Sequence, residues 1–269
     1  MFLEPKISMA IEKKLWQSCL AIAIAVNYFI SSSSALAAEL EEIVRRGKLV
    51  VAVKDNLRPL GFYDERGNLQ GLEIDIAKGL AQELLGSPDA IVFKPVANQE
   101  RLQVALDGEV DLVIARVTTT PSRSRLVDFS NYYYLDGTGI VTQNPTVKQL
   151  SDLASSRIAV LKGSSTIAAV RFELPKAQLI GVESYQEALS LLETGGADAF
   201  AADNSVLAGW VQEYPQYRQL PVRLSGEALC VAIPKGLQYS SLRDRVNKAI
   251  AHWQQSGWLR ERATYWGLL

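Results

Sequence analysis

A hydroxyl and a guanidinium group follow a predicted buried strand at Asp111–Ala115. Thr118 comes first along the chain, Pro121 interrupts the backbone, and Arg123 stands on the short turn that follows. Arginine offers a planar fork that can hold a carboxylate by two hydrogen bonds, and threonine hydroxyls and free backbone N–H groups add donors beside it. This spacing indicates a carboxylate site. The alternative is an arginine-rich surface loop without a ligand.

Two further loops carry polar groups that would suit the rest of a zwitterion. Ser165 and Thr166 open a predicted helix, whose free N–H groups and dipole favour an anion. Capping of that helix is the alternative role of both hydroxyls, and the two roles can coexist. Asp203 follows a predicted strand at Ala197–Ala201 and could pair with an ammonium group, or else cap the next helix.

Two similar α/β units would position these loops. In each unit, apolar runs and helical periodicity alternate as strand, helix, strand, helix and strand, which is typical of an open, mostly parallel sheet with helices on both faces. Because ligands bind outside the carboxyl ends of such strands, we expect the loops to face one cleft. The predicted elements are Lys48–Lys54, Leu72–Leu85, Ala90–Lys94, Glu100–Leu106 and Leu112–Ala115, then Arg157–Leu161, Thr166–Phe172, Gln178–Val182, Ser184–Glu193 and Ala197–Ala201.

Composition bounds the class of function. The chain has 269 residues, 48% of them hydrophobic, and a net charge of −1. It contains no basic cluster interleaved with aromatic residues, which argues against nucleic acid as a partner. A single histidine, His252, argues against both a His/Cys metal site and a Ser-His-Asp triad. We therefore expect no metal, no cofactor and no catalytic residue.

Residues 1–37 have the pattern of a cleaved secretory signal peptide. A Lys13-Lys14 pair precedes an apolar run, and Ala35-Leu-Ala37 supplies the small residues for cleavage after Ala37. Export to the periplasm is therefore expected, with an uncleaved membrane anchor as the alternative. The mature chain would keep one cysteine, Cys230, and so could form no internal disulfide.

Four passages of the chain stand in a specific order and spacing, although each is degenerate alone. They are Gly71-Leu-Glu-Ile-Asp-Ile-Ala77, Asp111-Leu-Val-Ile-Ala-Arg-Val-Thr-Thr-Thr-Pro-Ser-Arg123, Val127-Asp-Phe-Ser130 and Ala197-Asp-Ala-Phe-Ala-Ala-Asp203. Together they resemble the type-3 extracellular solute-binding proteins, the polar amino-acid receptors of ABC importers, and the resemblance extends from about Leu40 to Gly267. Within that family the chain resembles most the cyanobacterial receptors for acidic and neutral polar amino acids.

The resemblance implies a two-lobed, type II periplasmic binding protein. Its lobes would be joined by two crossing strands, near Gly137–Thr142 and Ser225–Cys230, and would close on the ligand. Lobe 1 would be discontinuous and take residues 38–138 and 230–269, and lobe 2 would take residues 139–229. Such a protein is expected to be a monomer that delivers a small-molecule amino acid to the permease subunits of an inner-membrane ABC transporter.

The resemblance also assigns ligand-binding roles. Arg123 and Thr118 would hold the α-carboxylate from lobe 1. Asp203 would hold the α-ammonium, and Ser165 and Thr166 would supply donors from lobe 2.

Three further cations stand near the expected cleft. Lys54 and Arg101 occupy positions where receptors for aspartate and glutamate carry cations, whereas glutamine receptors commonly have Asp at the Lys54 position. Arg116 departs from the family, which usually has Gly or Ser there with its carbonyl accepting from the α-ammonium. The long side chain of Arg116 would reach the ligand side chain or turn to solvent.

Charge favours an acidic ligand. One ligand carboxylate satisfies Arg123 and Asp203 matches the ammonium, which leaves Lys54 and Arg101 buried without a partner when the lobes close. An unpaired buried charge costs about 3–5 kcal/mol, and a second ligand carboxylate removes that cost. We therefore predict a binding protein for glutamate or aspartate, and not an enzyme.

Two alternatives remain at this point. If Asp55 neutralises Lys54, the site would take glutamine or another neutral polar amino acid. A periplasmic dehydratase of the cyclohexadienyl type would keep the carboxylate site but would need a positioned acid or base as well.

Overall fold

The computed structural model describes residues 39–268 and shows two lobes of α/β structure. The predicted signal peptide and its cleavage site lie outside these residues. None of the helices within them is both long and apolar enough to cross a membrane. The helices are α1 (Leu40–Arg46), α2 (Leu72–Leu85), α3 (Gln103–Leu106), α4 (Thr166–Glu173), α5 (Tyr185–Glu193), α6 (Asn204–Glu213), α7 (Ser240–Ser256) and α8 (Trp258–Tyr265). The strands are β1 (Leu49–Val53), β2 (Asn56–Leu57), β3 (Gly61–Tyr63), β4 (Leu69–Gln70), β5 (Ile91–Pro95), β6 (Leu112–Ile114), β7 (Val127–Asp136), β8 (Thr138–Thr142), β9 (Arg157–Leu161), β10 (Gln178–Val182), β11 (Ala199–Asp203), β12 (Arg218–Gln219) and β13 (Glu227–Pro234).

The first lobe is built on a five-stranded sheet in the order β5-β1-β6-β13-β7. Strands β5, β1 and β6 are parallel, as the strand-helix alternation predicts, and their register pairs Val51 with both Phe93 and Leu112. Strand β13 runs antiparallel to its neighbours β6 and β7. The sheet therefore combines N-terminal strands with one from the C-terminal part of the chain.

The second lobe repeats this plan in the order β10-β9-β11-β8-β12. Strands β10, β9 and β11 are parallel, and β8 and β12 are antiparallel to their neighbours. The two-lobed α/β fold is thus confirmed, but both sheets are mixed. The antiparallel strands are those beside the two crossings, and a periodicity argument does not reveal their direction.

Two chain segments cross between the lobes and lie against each other. Strand β7 belongs to the first sheet and β8 to the second, so the chain crosses at Gly137. The return crossing precedes Glu227, because all of β13 lies in the first sheet. Hydrogen bonds join the segments: Thr138 N–H donates to Ser225 Oγ at 2.9 Å and Leu224 N–H donates to Thr138 O at 2.8 Å. The lobe boundaries at residues 38–138, 139–229 and 230–269 stay a prediction.

Apolar faces of helices hold the first sheet in place. Helix α2 buries one side of its length, as its apolar spacing predicts, and ends at Gly86 in the left-handed conformation. The predicted helix at Glu100–Leu106 is shorter than expected and is confined to α3, since residues 98–102 form turns. Strand β13 lies between β6 and β7, where Cys230 is buried and its pKa is raised by burial to about 11.

Substituting Gly137 by alanine will push the crossing segments apart. A Cβ at this position would lie 1.9 Å from the carbonyl oxygen of Ser225, which belongs to the backbone and cannot swing away. We expect the free energy of unfolding, measured with urea, to fall by about 2 kcal/mol.

The matched control is Gly226→Ala, on the return crossing. Its Cβ would meet nothing closer than Leu135 Cδ1 at 4.0 Å, so we expect a change within about 0.5 kcal/mol. Equal losses in the two variants would contradict this account of the crossing.

Candidate functional site

Loops from both lobes meet at the carboxyl ends of the parallel strands. Lys54 follows β1, and residues 115–118 follow β6 in the first lobe. From the second lobe come residues 162–166 after β9 and Asp203 at the end of β11. The predicted site residues lie on these loops, except for Arg101 and Arg123, which lie on separate short turns of the first lobe.

Arg123 and Thr118 are held together as one unit. The Arg123 guanidinium donates through Nη1 to the Thr118 carbonyl at 2.9 Å and to its Oγ1 at 2.5 Å. Thr118 in turn forms an isolated β-bridge with Leu229 of β13. Both side chains are half-buried, so the guanidinium is fixed by neutral acceptors while part of its surface stays accessible to an anion.

Arg116 forms an ion pair within the protein and is not turned to solvent, whereas its expected contact with a ligand side chain stays a prediction. Its guanidinium donates through Nη2 to Asp203 Oδ2 of the other lobe, and its Nε lies 3.9 Å from Asp136 Oδ2. Asp203 stands at the N-cap of α6, yet its side chain makes no capping hydrogen bond. The structure thus brings Arg116 and Asp203 together across the lobes, a pairing that the sequence did not predict.

Arg101 was expected to lack a charged partner, and in the structure its hydrogen-bond acceptors are neutral carbonyl groups. Its Nη1 donates to the carbonyl oxygens of Ala115 at 3.0 Å and Arg116 at 2.6 Å. Burial, together with the nearby charges of Arg123 and Arg116, lowers the pKa of Arg101 to about 10. Arg101 therefore lies in a cluster of guanidinium groups and also fixes the backbone of the loop after β6.

Lys54 is buried, with 5% of its surface exposed, and likewise has a neutral partner. Its Nζ donates to the carbonyl oxygen of Val96 at 2.8 Å. Burial lowers the pKa of Lys54, the Asp55 carboxylate opposes that shift, and Arg101 adds to it. Its hydrogen-bond partner is thus a neutral carbonyl, and the carboxylates that offset its charge, Asp55 first among them, form no ion pair with it within residues 39–268.

The loop after β6 is held by Glu73, a carboxylate that sequence reasoning did not single out. Its Oε1 accepts from the Arg116 backbone N–H at 2.6 Å and from the Tyr133 hydroxyl at 2.5 Å. Glu73 is fully buried, and burial raises its pKa while these hydrogen bonds oppose the rise. A signal was present, since Glu73 occupies a position on the apolar side of α2, where a charge needs a local partner.

Ser165 and Thr166 lie at the start of α4 without the capping geometry. Ser165 is exposed, makes no cap hydrogen bond, and donates through Oγ to Glu227 Oε1 at 3.0 Å. Thr166 is buried, and its Oγ1 has no hydrogen-bond partner among the described residues. A buried hydroxyl without a partner costs free energy, so Thr166 Oγ1 is a polar group that a ligand or water could satisfy.

The lobes are in contact beyond the site. A Cβ on Gly209 of α6 would lie 2.3 Å from the carbonyl oxygen of Arg58 in the first lobe. A cavity of about 250 Å³ lies beside this contact and is lined by Leu57 and Arg58 on one side and by Tyr185 and Trp210 on the other. The approach of the two backbones indicates a closed arrangement of the lobes.

Residues 49–268 match the model of the family of bacterial extracellular solute-binding proteins, family 3. A glutamine-binding protein of Geobacillus stearothermophilus is 36% identical over 191 residues, which are 70% of this chain and 73% of that protein. A glutamine-binding protein of an ABC transporter of Bacillus subtilis (strain 168) is 30% identical over 221 residues, which are 81% of this chain and 80% of that protein.

A solved structure with the same fold is that of an ancestral protein, AncCDT-1. It is described as a cationic amino acid solute-binding protein. It matches with a TM-score of 0.70 and 30% identity, over 85% of this chain and 99% of that one. A second structure of AncCDT-1 is titled a precursor of cyclohexadienyl dehydratase and matches with a TM-score of 0.65 and 30% identity over 86% and 100% of the chains.

Replacing Glu73 by glutamine will change how stability depends on pH. Because the pKa of Glu73 is raised above its ordinary value of 4.5, the folded protein binds a proton that the unfolded chain releases. This contribution is present in full below the unfolded pKa and is lost as pH rises through the folded pKa. We expect the free energy of unfolding of the wild type to fall relative to that of Glu73→Gln as the pH is raised from 4 to 8. Urea denaturation at several pH values measures the difference, and a flat or rising difference would contradict the assignment.

Proposed function

Since the chain belongs to family 3 of the bacterial extracellular solute-binding proteins, we propose that it is the periplasmic substrate-binding subunit of an ABC importer for polar amino acids. It captures an acidic amino acid, glutamate or aspartate, between its lobes and delivers it to the inner-membrane permease. It acts as a monomer after cleavage of its signal peptide. The affiliation with cyanobacterial receptors stays part of this proposal.

The observation that supports an acidic ligand is a cluster of cations whose hydrogen-bond acceptors are mostly neutral groups. Lys54, Arg101 and Arg123 each donate to backbone carbonyls, and Arg123 also to a hydroxyl. Within residues 39–268, Arg116 is the one of these four cations that forms an ion pair with a carboxylate. Carbonyls satisfy hydrogen bonds but do not balance charge, so the cluster favours a ligand that carries two carboxylates.

The remaining site residues would hold the part common to all amino acids. Arg123 and Thr118 are already bound to each other and present a fixed fork for the α-carboxylate. Ser165 and Thr166 stand at a helix N-terminus, where the dipole favours the same negative charge. Asp203 would hold the α-ammonium.

A receptor for glutamine is the second candidate. Two relatives are named glutamine-binding proteins, and Asp55 lies close enough to Lys54 to raise the pKa of the lysine. If that carboxylate balances Lys54 in the liganded protein, a neutral side-chain amide would suffice.

A dehydratase activity fits the structure less well. Glu73 is buried and has a raised pKa, which suits a general acid or base. However, its Oε1 already holds the Arg116 N–H and the Tyr133 hydroxyl. A carboxylate that fixes the loop in this way is a structural group, and we therefore propose that the protein is not an enzyme.

Calorimetry of the wild type with each proteinogenic amino acid tests the proposed ligand. We expect glutamate or aspartate to bind at one site per monomer at least tenfold more tightly than glutamine, because a second carboxylate meets the uncompensated cations. Binding of neutral or basic amino acids without glutamate or aspartate would contradict the acidic ligand.

The same prediction extends to a matched pair of lysine variants. Lys54→Gln removes the charge of a buried lysine that donates to a backbone carbonyl, and should lower the ratio of glutamate to glutamine affinity at least tenfold. Lys48→Gln is the control, because Lys48 also donates to a backbone carbonyl, that of Asp89 at 2.9 Å, but is exposed and lies before β1. Equal changes in the two variants would remove Lys54 from the specificity role.

Closure of the lobes is testable at Gly209. In Gly209→Ala the new Cβ would meet the Arg58 carbonyl only when the lobes are closed. We expect every ligand to bind at least tenfold more weakly, with an unchanged ratio between ligands, because the variant disfavours the closed arrangement for all of them alike. Calorimetry measures the affinities, and an unchanged affinity would show that the liganded protein does not contain this contact.

A further inference from the structure

We infer that Arg116 is a tethered cation that occupies the ammonium-binding carboxylate, Asp203, and moves to the second carboxylate of the ligand when an acidic amino acid enters. The inference rests on the proposed function and deepens it, because it makes Arg116 a determinant of specificity. Three features of the structure carry it.

The first feature is the unusual backbone conformation of Arg116, which sets the direction of its side chain. Its φ is 51°, and it is the one non-glycine residue with positive φ in residues 39–268. Such a conformation is strained for a side-chain-bearing residue and persists only where its surroundings hold it. Here Glu73 accepts the Arg116 N–H and Arg101 donates to the Arg116 carbonyl.

The second feature is the ion pair itself, which joins the lobes. Arg116 follows β6 of the first lobe, whereas Asp203 ends β11 of the second. Their side chains are 19% and 16% exposed, so water screens the pair only in part. Asp203 makes no cap hydrogen bond to α6 and accepts a hydrogen bond from the Arg116 guanidinium instead.

The third feature is that the guanidinium is not fully satisfied. Arg116 Nε is buried and has no hydrogen-bond partner among the described residues, since Asp136 Oδ2 lies at 3.9 Å. Asp136 is itself committed, because Ser205 donates to both of its carboxylate oxygens and Gly137 N–H donates to Oδ1. The guanidinium therefore keeps a donor for another acceptor.

These features make binding an exchange of ion pairs. The ligand ammonium takes Asp203, and Arg116 then has only Asp136, whose Oδ2 lies 3.9 Å from its Nε and already accepts from Ser205. A glutamate or aspartate side chain supplies a new carboxylate, whereas glutamine supplies only a neutral amide. A neutral amino acid therefore leaves a largely buried cation without a close carboxylate, which weakens its binding.

The exchange predicts opposite effects on two ligands when Arg116 is replaced by asparagine. Asparagine tolerates the left-handed backbone and removes the charge. In Arg116→Asn we expect tighter binding of glutamine and weaker binding of glutamate, so that the ratio of their affinities falls at least tenfold. In small-angle X-ray scattering, the unliganded variant should have a larger radius of gyration than the unliganded wild type, because the pair between the lobes is gone.

Three further variants complete the test. Arg116→Gly suits the same backbone and should behave as Arg116→Asn does, which guards against failure of one variant to fold. Arg116→Lys keeps the cation and should keep the preference for glutamate. Arg157→Gln is the control, because it breaks an ion pair with Asp198 within the second lobe at 2.8 Å and should change neither the ratio nor the radius.

An unchanged affinity ratio or an unchanged radius of gyration in both Arg116→Asn and Arg116→Gly would overturn the inference. That result is distinct from failure of the proposed function, which is tested by the ligand preference of the wild type alone. A wild type that prefers glutamine would overturn both, whereas a wild type that prefers glutamate, with variants that keep the preference, would overturn only the role of Arg116.

Discussion

The site depends on the need to hydrogen-bond the buried backbone that leaves β6. Residues 115–118 turn away from the sheet inside the protein, where unpaired N–H and carbonyl groups are costly. Glu73 accepts the Arg116 N–H, Arg101 donates to the carbonyls of Ala115 and Arg116, and Arg123 donates to that of Thr118. Charged side chains from α2 and from two neighbouring turns are thus gathered at one loop. Their charges then give the cleft its electrostatic character.

The sequence predicted what local periodicity and chain order control. The parallel strands, helix α2 and the loops at the strand ends all follow from apolar spacing along the chain. The pairing of Arg123 with Thr118 also lies within one short stretch. Arg116 with Asp203 could not be predicted, because these residues are 87 positions apart and the choice of partner depends on how the lobes approach. Glu73 was overlooked because a carboxylate within an apolar stripe looks like an exception until its two donors are known.

Charge balance connects the two lobes in a way that neither sheet requires. The first lobe supplies most of the cations at the cleft, whereas Asp203 comes from the second. Closure therefore brings opposite charges together and also buries cations that have only carbonyl partners. The Arg116–Asp203 ion pair draws the lobes together, whereas the cations that are bound to carbonyls leave an excess of positive charge. The acidic ligand proposed above would offset this excess of positive charge.

The burial of Cys230 has a practical consequence for following the lobes as they move. Because its pKa is raised to about 11, only about one thiol in ten thousand is a thiolate at neutral pH, and the side chain is shielded by the sheet. Maleimide and methanethiosulfonate reagents react with exposed thiolates. Fluorophores or spin labels can therefore be attached to cysteines introduced on the surfaces of the two lobes without replacing Cys230 in β13.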